Sequence, residues 1–352
     1  MLRRVFLLWC VALALCGCDR QSSVTRVRTL PGEAAPSSVA LVDEDLNPRL
    51  LRRFAAIARP ADVPDSPRVT LGRLLYFEPL LSRTGKVSCN SCHPLDRYGA
   101  TDTSVSVGVA GRLGRRNAPS VYNAAGHFRQ FWDGRAASLA DQVEGPITNP
   151  IEMDMQVGQV LAELQAIPGY RTAFARAFPD QAQPISMGNL AIAVAEFERG
   201  LTTPGRWDRY LNGDAQAITP AEKAGAKLFA NLGCMVCHAG ANVGGTMFER
   251  LGALVPWPEQ PDRGRSEVTH NAADDMVFKV PSLRNVARTA PYFHDGSIAS
   301  LDTAVRMMAR HQLGVDLSEE EARSITAWLG ALTGEIPRAY VAPPTLPVAV
   351  RP

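Results

Sequence analysis

Two stretches decide how this chain is read: Cys89-Asn90-Ser91-Cys92-His93 and Cys234-Met235-Val236-Cys237-His238. Each is a Cys-x-x-Cys-His, the spacing at which two thiols form thioethers with a porphyrin and the adjacent imidazole takes the iron. A single copy is also compatible with a redox disulfide or half a zinc site. A zinc site needs a closing pair of ligands nearby, and neither copy has one. Two complete copies in one chain point to two covalent haems, with His93 and His238 as the iron ligands. The other three of the seven cysteines, Cys10, Cys16 and Cys18, fall in the first 18 residues.

The motifs sit inside an internal repeat. Ser66-Pro67 and Thr219-Pro220 each read as a helix N-cap followed by proline in the first turn. Six residues after each cap comes Gly72 or Gly225, then Leu75-Tyr76 or Leu228-Phe229, and each helix leads into a haem motif. Downstream, an offset of 162 pairs Ala118-Pro119-Ser120-Val121 with Val280-Pro281-Ser282-Leu283, and Asn123 with Asn285. It also pairs Phe131 with Phe293, Asp133-Gly134 with Asp295-Gly296, and Ala137-Ser138-Leu139 with Ala299-Ser300-Leu301. The expected fold is all-α, two tandem cytochrome c-like haem domains over residues 47–203 and 204–340, with 341–352 as a tail. A capping box at Ser318–Glu321 opens a last helix through Ile325, Trp328, Leu329 and Leu332.

The repeat also predicts how the halves differ. Leu301, Ala304, Val305 and Met308 are spaced as one helix face. Met308 falls opposite Pro146, which has no ligating atom. Met308 is therefore the candidate second ligand of the second iron, which raises its potential, and the first iron keeps an open position. A core methionine is the ordinary alternative. Met276 and Met307 are rivals, Met307 pointing about 100° off that face.

The chain has 352 residues, 46% hydrophobic and 20% charged, enough for real cores and a soft prior of two domains. With Arg3 and Arg4 removed, its 37 basic residues fall to 35 and equal the 35 acidic ones, which argues against nucleic acid as a partner. No apolar run is long enough to span a membrane. Residues 1–18 read as an export signal, a basic start followed by a short apolar stretch. Its end, Leu15-Cys16-Gly17-Cys18, resembles a lipoprotein lipobox with Cys18 acylated; an ordinary secretory signal is the alternative. Residues 19–46 read as a tether. Either leader places the mature chain outside the cytoplasm, in the periplasm; with the lipobox, the lipid is its one expected contact with the membrane.

These residues resemble the bacterial dihaem cytochrome c peroxidases and their MauG relatives over roughly residues 50–340. The resemblance is carried by the haem motifs and by Arg116-Asn117-Ala118-Pro119, Phe131-Trp132-Asp133-Gly134-Arg135 and the stretch Gly145-Pro146-Ile147-Thr148-Asn149-Pro150-Ile151-Glu152-Met153. In the second half it rests on Leu283-Arg284-Asn285-Val286 and Thr289-Ala290-Pro291-Tyr292-Phe293-His294-Asp295-Gly296. It implies a low-potential peroxide site at the His93 haem and electron entry at the haem held by His238 and Met308. It implies that Trp132 lies between the haems, that Glu152 is the acid/base with Gln142 beside it, and that carbonyls of Asn117, Thr289 and Pro291 hold calcium. The donor implied is a small protein, a cytochrome c or cupredoxin; the oligomeric state stays open, a homodimer included.

One departure stands out. Many family peroxidases carry a capping histidine 16 residues after the first haem histidine, where this chain has Val109. MauG-like members also lack the cap, but share a tyrosine ligand at the second haem, where this chain has Met308. His127, His270 and His311 are the histidines that could supply a missing ligand to the first iron, and His294, the repeat mate of Trp132, is expected to pack near the second haem. Three functions follow: a hydrogen peroxide-reducing cytochrome c peroxidase, a MauG-like oxidase of a protein or other substrate, and a non-enzymatic dihaem electron carrier. Two covalent haems per chain are expected by pyridine haemochrome assay and intact mass; one haem, or none, in a matured sample removes the basis of this reading.

Overall fold

The structure is a computed structural model that describes residues 45–58 and 66–348. The leader, Cys18 and nearly all of the expected tether lie outside the described residues. Among them no helix is long and apolar enough to cross a membrane.

The first half begins with a short turn, α1 (Pro48–Leu51), and the capped helix α2 (Pro67–Phe77), where the Ser66 hydroxyl accepts from Val69 N. The first haem motif forms α3 (Cys89–Cys92), closed by a Ser88/Ser91 capping box. Then come α4 (Leu139–Thr148), α5 (Val157–Ala166), α6 (Pro168–Ala177) and α7 (Met187–Arg199). The second half holds α8 (Arg206–Leu211), α9 (Pro220–Asn231), α10 (Ser266–Thr269), α11 (Leu301–Leu313) and α12 (Glu319–Ala331). The expected N-caps at Ser66, Thr219 and Ser318 are all formed, the last two as capping boxes. The helices are joined by one feature the repeat does not announce, a two-stranded antiparallel ribbon of β1 (Phe248–Arg250) and β2 (Val277–Lys279).

The repeat is visible in the backbone itself. Asn123 and Asn285 are both left-handed, at φ 62°, and Phe131 and Phe293 follow at φ 66° and 69°. In each half the haem-leading helix packs against the last long helix, α2 on α7 and α9 on α12. The glycines are what let them touch. A Cβ on Gly72 would stand 1.9 Å from the Ala193 carbonyl oxygen, and one on Gly225 would stand 2.0 Å from that of Ser324.

There are two main cores. One gathers Leu71, Leu75, Tyr170, Phe174 and Phe197; the other gathers Trp207, Phe229, Trp328 and Leu329. Residues 46–54 and 336–341 cross between them, which corrects the expected domain limits. The sequence places residues 47–54 in the first domain, yet Phe54 packs edge-on to Trp207 and Trp328, at 5.4 and 6.0 Å. In the other direction Tyr340 stacks on Phe197 at 5.1 Å and Val341 is buried in the first core, so the expected tail begins as core. Both exchanges join segments far apart in sequence, which a local period does not encode.

The repeat mates of the two halves meet at one buried hydroxyl. Thr203 Oγ1 accepts from Asn123 Nδ2 at 2.9 Å and from its repeat mate Asn285 Nδ2 at 2.8 Å. The same amides return the bond through their oxygens, Asn123 to Thr203 N and Asn285 to Gly334 N, both at 3.0 Å. Replacing Thr203 by Val strands one N–H of each amide, at about 1–3 kcal/mol apiece, to be read by chemical denaturation. Thr203→Ser keeps the hydroxyl and is expected to lose much less; equal losses would show that the methyl, not the hydroxyl, matters.

Candidate active site

Each haem motif opens onto its own cavity. Cys89, Cys92 and His93 line one of about 470 Å³, and Cys234, Cys237 and His238 line one of about 500 Å³. All four thiols are free. His93 Nδ1 is 3.2 Å from the Gly99 carbonyl and His238 Nδ1 is 3.3 Å from that of Val243. A ring that donates from Nδ1 keeps its lone pair on Nε2, the tautomer an iron needs. Burial pulls both imidazoles below their usual pKa, His238 to about 4, so both are neutral at pH 7. Paired free thiols, a backbone-held imidazole and a cofactor-sized cavity are a donor set that suits a c-type haem, twice over.

The first cavity is walled on another side by α4 and the loop after it. Gln142 and, one turn on, Pro146 line it, followed by Glu152. Asn149 Nδ2 donates to Glu152 Oε1 at 2.6 Å. Burial raises the Glu152 pKa, opposed by that hydrogen bond and by Arg135. Val109 does not reach the cavity; its side chain is buried in the first core, and its N–H donates to the Glu152 carbonyl at 2.8 Å. Among the described residues His93 is the one histidine on this wall.

The other histidines are accounted for elsewhere. His270 is exposed at the C-cap of α10. His311 has Nδ1 3.0 Å from the Val255 carbonyl and packs on Trp257. His127 and His294 line the second cavity, where His294 stacks on Phe278 at 4.3 Å and shares a 2.7 Å hydrogen bond with Gln260.

The second cavity takes the whole predicted face of α11: Leu301, Ala304, Val305 and Met308. Neither Met307 nor Met276 is on its wall, so Met308 is its one methionine among the described residues. The helices facing the two cavities start alike, with Ser138 accepting from Asp141 N and Ser300 from Thr303 N.

Trp132 lines both cavities. Its indole donates to the Asn117 carbonyl at 2.9 Å, and its own carbonyl accepts from Lys279 N at 2.7 Å. Arg116 secures the turn by bonding both Asp133 and Asp262. Asn117, Thr289 and Pro291 all border the second cavity.

Two groups went unforeseen. Glu198 on α7 is buried on the first cavity wall, and burial pushes its carboxyl up to about 8. Its signal was present: it shares the i, i+4, i+8 stripe of Leu190 and Val194, where a carboxylate is out of place. Lys279, buried on the second wall, had no such signal, since it sits in an unpredicted strand.

A family model described as di-haem cytochrome c peroxidase matches residues 66–216. Cytochrome c551 peroxidase of Pseudomonas aeruginosa is 42% identical over 79% of this chain and 82% of its own length. The methylamine utilization protein MauG of Methylorubrum extorquens is 33% identical over 83% and 85%. The crystal structure of a MauG-like protein associated with microbial copper homeostasis superposes with a TM-score of 0.72 at 30% identity, covering 82% of this chain and 96% of that one. With two complete haem motifs on a duplicated helical frame, and relatives this similar over most of its length, the chain belongs to the di-haem cytochrome c peroxidase family.

Proposed function

We propose that this chain is a periplasmic dihaem peroxidase that reduces hydrogen peroxide to water at the first cavity, with electrons entering at the second. The observation that carries this reading is the contrast between equivalent helices: α4 offers Gln142 and Pro146 to the first cavity, whereas α11 offers Met308 to the second. A haem held by Cys89, Cys92 and His93 would supply an iron for peroxide at the first site, and one held by Cys234, Cys237, His238 and Met308 would supply an iron for electron transfer at the second. Around the first site, Glu152 moves the proton that peroxide cleavage requires; burial favours its acid form to higher pH than for an exposed carboxyl. Gln142, an amide that does not titrate, orients peroxide or water. Trp132, bordering both cavities, is the bridge for electrons.

The donor is a small redox protein, a cytochrome c or cupredoxin. Val236, between the second pair of cysteines, is 68% exposed and brings that cavity's rim to the surface. The calcium site uses the carbonyls of Asn117, Thr289 and Pro291, neutral oxygens of the kind a hard cation takes; the Asn117 carbonyl has one lone pair left beside the Trp132 indole. The leader supports export and anchoring through Cys18. A MauG-like oxidase is the second reading, favoured by Val109; Met308 weighs against it.

Met308→Ala is expected to abolish the Met-ligation absorbance of the oxidised protein and lower the second potential. Loss of that band in Met276→Ala or Met307→Ala instead would place the ligand elsewhere. Turnover with a cytochrome c donor is expected to begin without a lag in the fully oxidised enzyme, because among the described residues no histidine besides His93 lines the first cavity. A lag removed by pre-reduction contradicts this. Glu152→Gln should slow peroxide cleavage by about 10²–10⁴-fold with both haem spectra nearly unchanged; an unaltered rate would exclude Glu152 as the acid/base.

A further inference from the structure

Lys279 closes β2 inside the molecule, only 4% exposed, on the wall of the second cavity. A buried ammonium is costly unless an anion faces it, and the other buried cations obey that rule. Arg284, on the same wall, pairs with Asp208 at 2.7 Å, Lys223 with Asp45 at 3.0 Å, and Arg116 with Asp262 and Asp133. Lys279 has no carboxylate among the described residues. Its ammonium donates only to His127 Nδ1, at 3.4 Å. Burial draws Lys279 down to about 8, which leaves it mainly charged at neutral pH, and holds His127 neutral at about 3.

That contact fixes the tautomer of His127. If Nδ1 accepts, Nε2 carries the hydrogen, and Nε2 is buried with no partner. The second cavity wall therefore carries a cation short of an anion and a neighbouring N–H short of an acceptor. One carboxylate satisfies both. Haem c carries two carboxylates of its own, the propionates, on the edge of the ring.

We propose that Lys279 and His127 form a carboxylate-binding subsite that holds a propionate of the C-terminal haem. The proposal rests on the second cavity being a haem site. It also makes Lys279 a positioning residue with an electrostatic consequence. An ammonium close to the ring opposes the extra positive charge of the ferric state and holds the second potential up, in the same direction as Met308. The pair is built across the repeat, His127 from the first half and Lys279 from the second. Its repeat counterparts, Thr289 and Asn117, are neutral, so the duplicated frame does not by itself require a cation here. The subsite also adjoins the inter-cavity wall, since the Lys279 backbone N–H bonds the Trp132 carbonyl.

The test is an optical redox titration of the holoprotein. Lys279→Gln is expected to keep two covalent haems and the Met-ligation band, while the second haem's reduction equilibrium falls about tenfold, 59 mV for a one-electron couple. Lys279→Arg should recover most of that shift. His127→Leu, which keeps the ammonium and removes the second donor, should move the potential the same way by less, and it carries the test if Lys279→Gln does not mature. An unchanged second potential in a variant with intact spectra overturns the proposal. So does a wild-type potential that follows chloride concentration, because a dissolved anion would then occupy the subsite. Failure of the haem reading itself is seen separately, as fewer than two haems in the wild-type pyridine haemochrome.

Discussion

One buried hydroxyl ties together equivalent positions of the two halves. Thr203 Oγ1 takes a hydrogen bond from Asn123 and from Asn285, residues at the same position of the repeat and in the same left-handed conformation. Each asparagine begins the loop that carries a tight Phe-x-Asp-Gly turn into its cavity. The two turns then meet with the rings of Trp132 and His294 at 6.3 Å between centroids, held by bonds from Asn117 N to the His294 carbonyl and from Lys279 N to the Trp132 carbonyl. Burial makes the arrangement stringent, because a stranded amide has no water to turn to.

On that shared frame, the chemistry is written by a few unlike pairs. Met308 stands against Pro146, His294 against Trp132, Lys279 against Asn117 and His127 against Thr289. In each pair the backbone role is kept and the side chain is exchanged. The second cavity receives a soft sulfur and a cation. The first receives a proline at the position of Met308, with Glu152 and Gln142 close by, and Met153 and Arg135 also on its wall. Two differently lined cavities thus share one duplicated frame.

Much of this was legible in the sequence, for identifiable reasons. The haem motifs, the N-caps and the face of α11 are local patterns whose spacing is set by covalent chemistry or by the helical period. The offset of 162 exposed the contrast between Met308 and Pro146 directly. What was not legible depends on contacts between distant segments. The exchange of residues 46–54 and 336–341 between cores leaves no periodic trace. The three-residue strands are too short to show alternation, and Lys279 becomes notable only when no carboxylate is found near it. Glu198 is a different case, a carboxylate within an apolar stripe at helical spacing, a signal the sequence does carry. Val109 was read as a residue that does not ligate; the structure adds that it is packed in the core, with its N–H on the Glu152 carbonyl.

If the chain works as proposed, the first iron is open and the second is closed by Met308. Electron paramagnetic resonance of the fully oxidised, two-haem protein measures this most directly. One high-spin ferric signal from the first haem beside one low-spin signal from the second is the result expected. Two low-spin signals in the resting protein would contradict it, because a sixth protein ligand would then occupy the place reserved for peroxide.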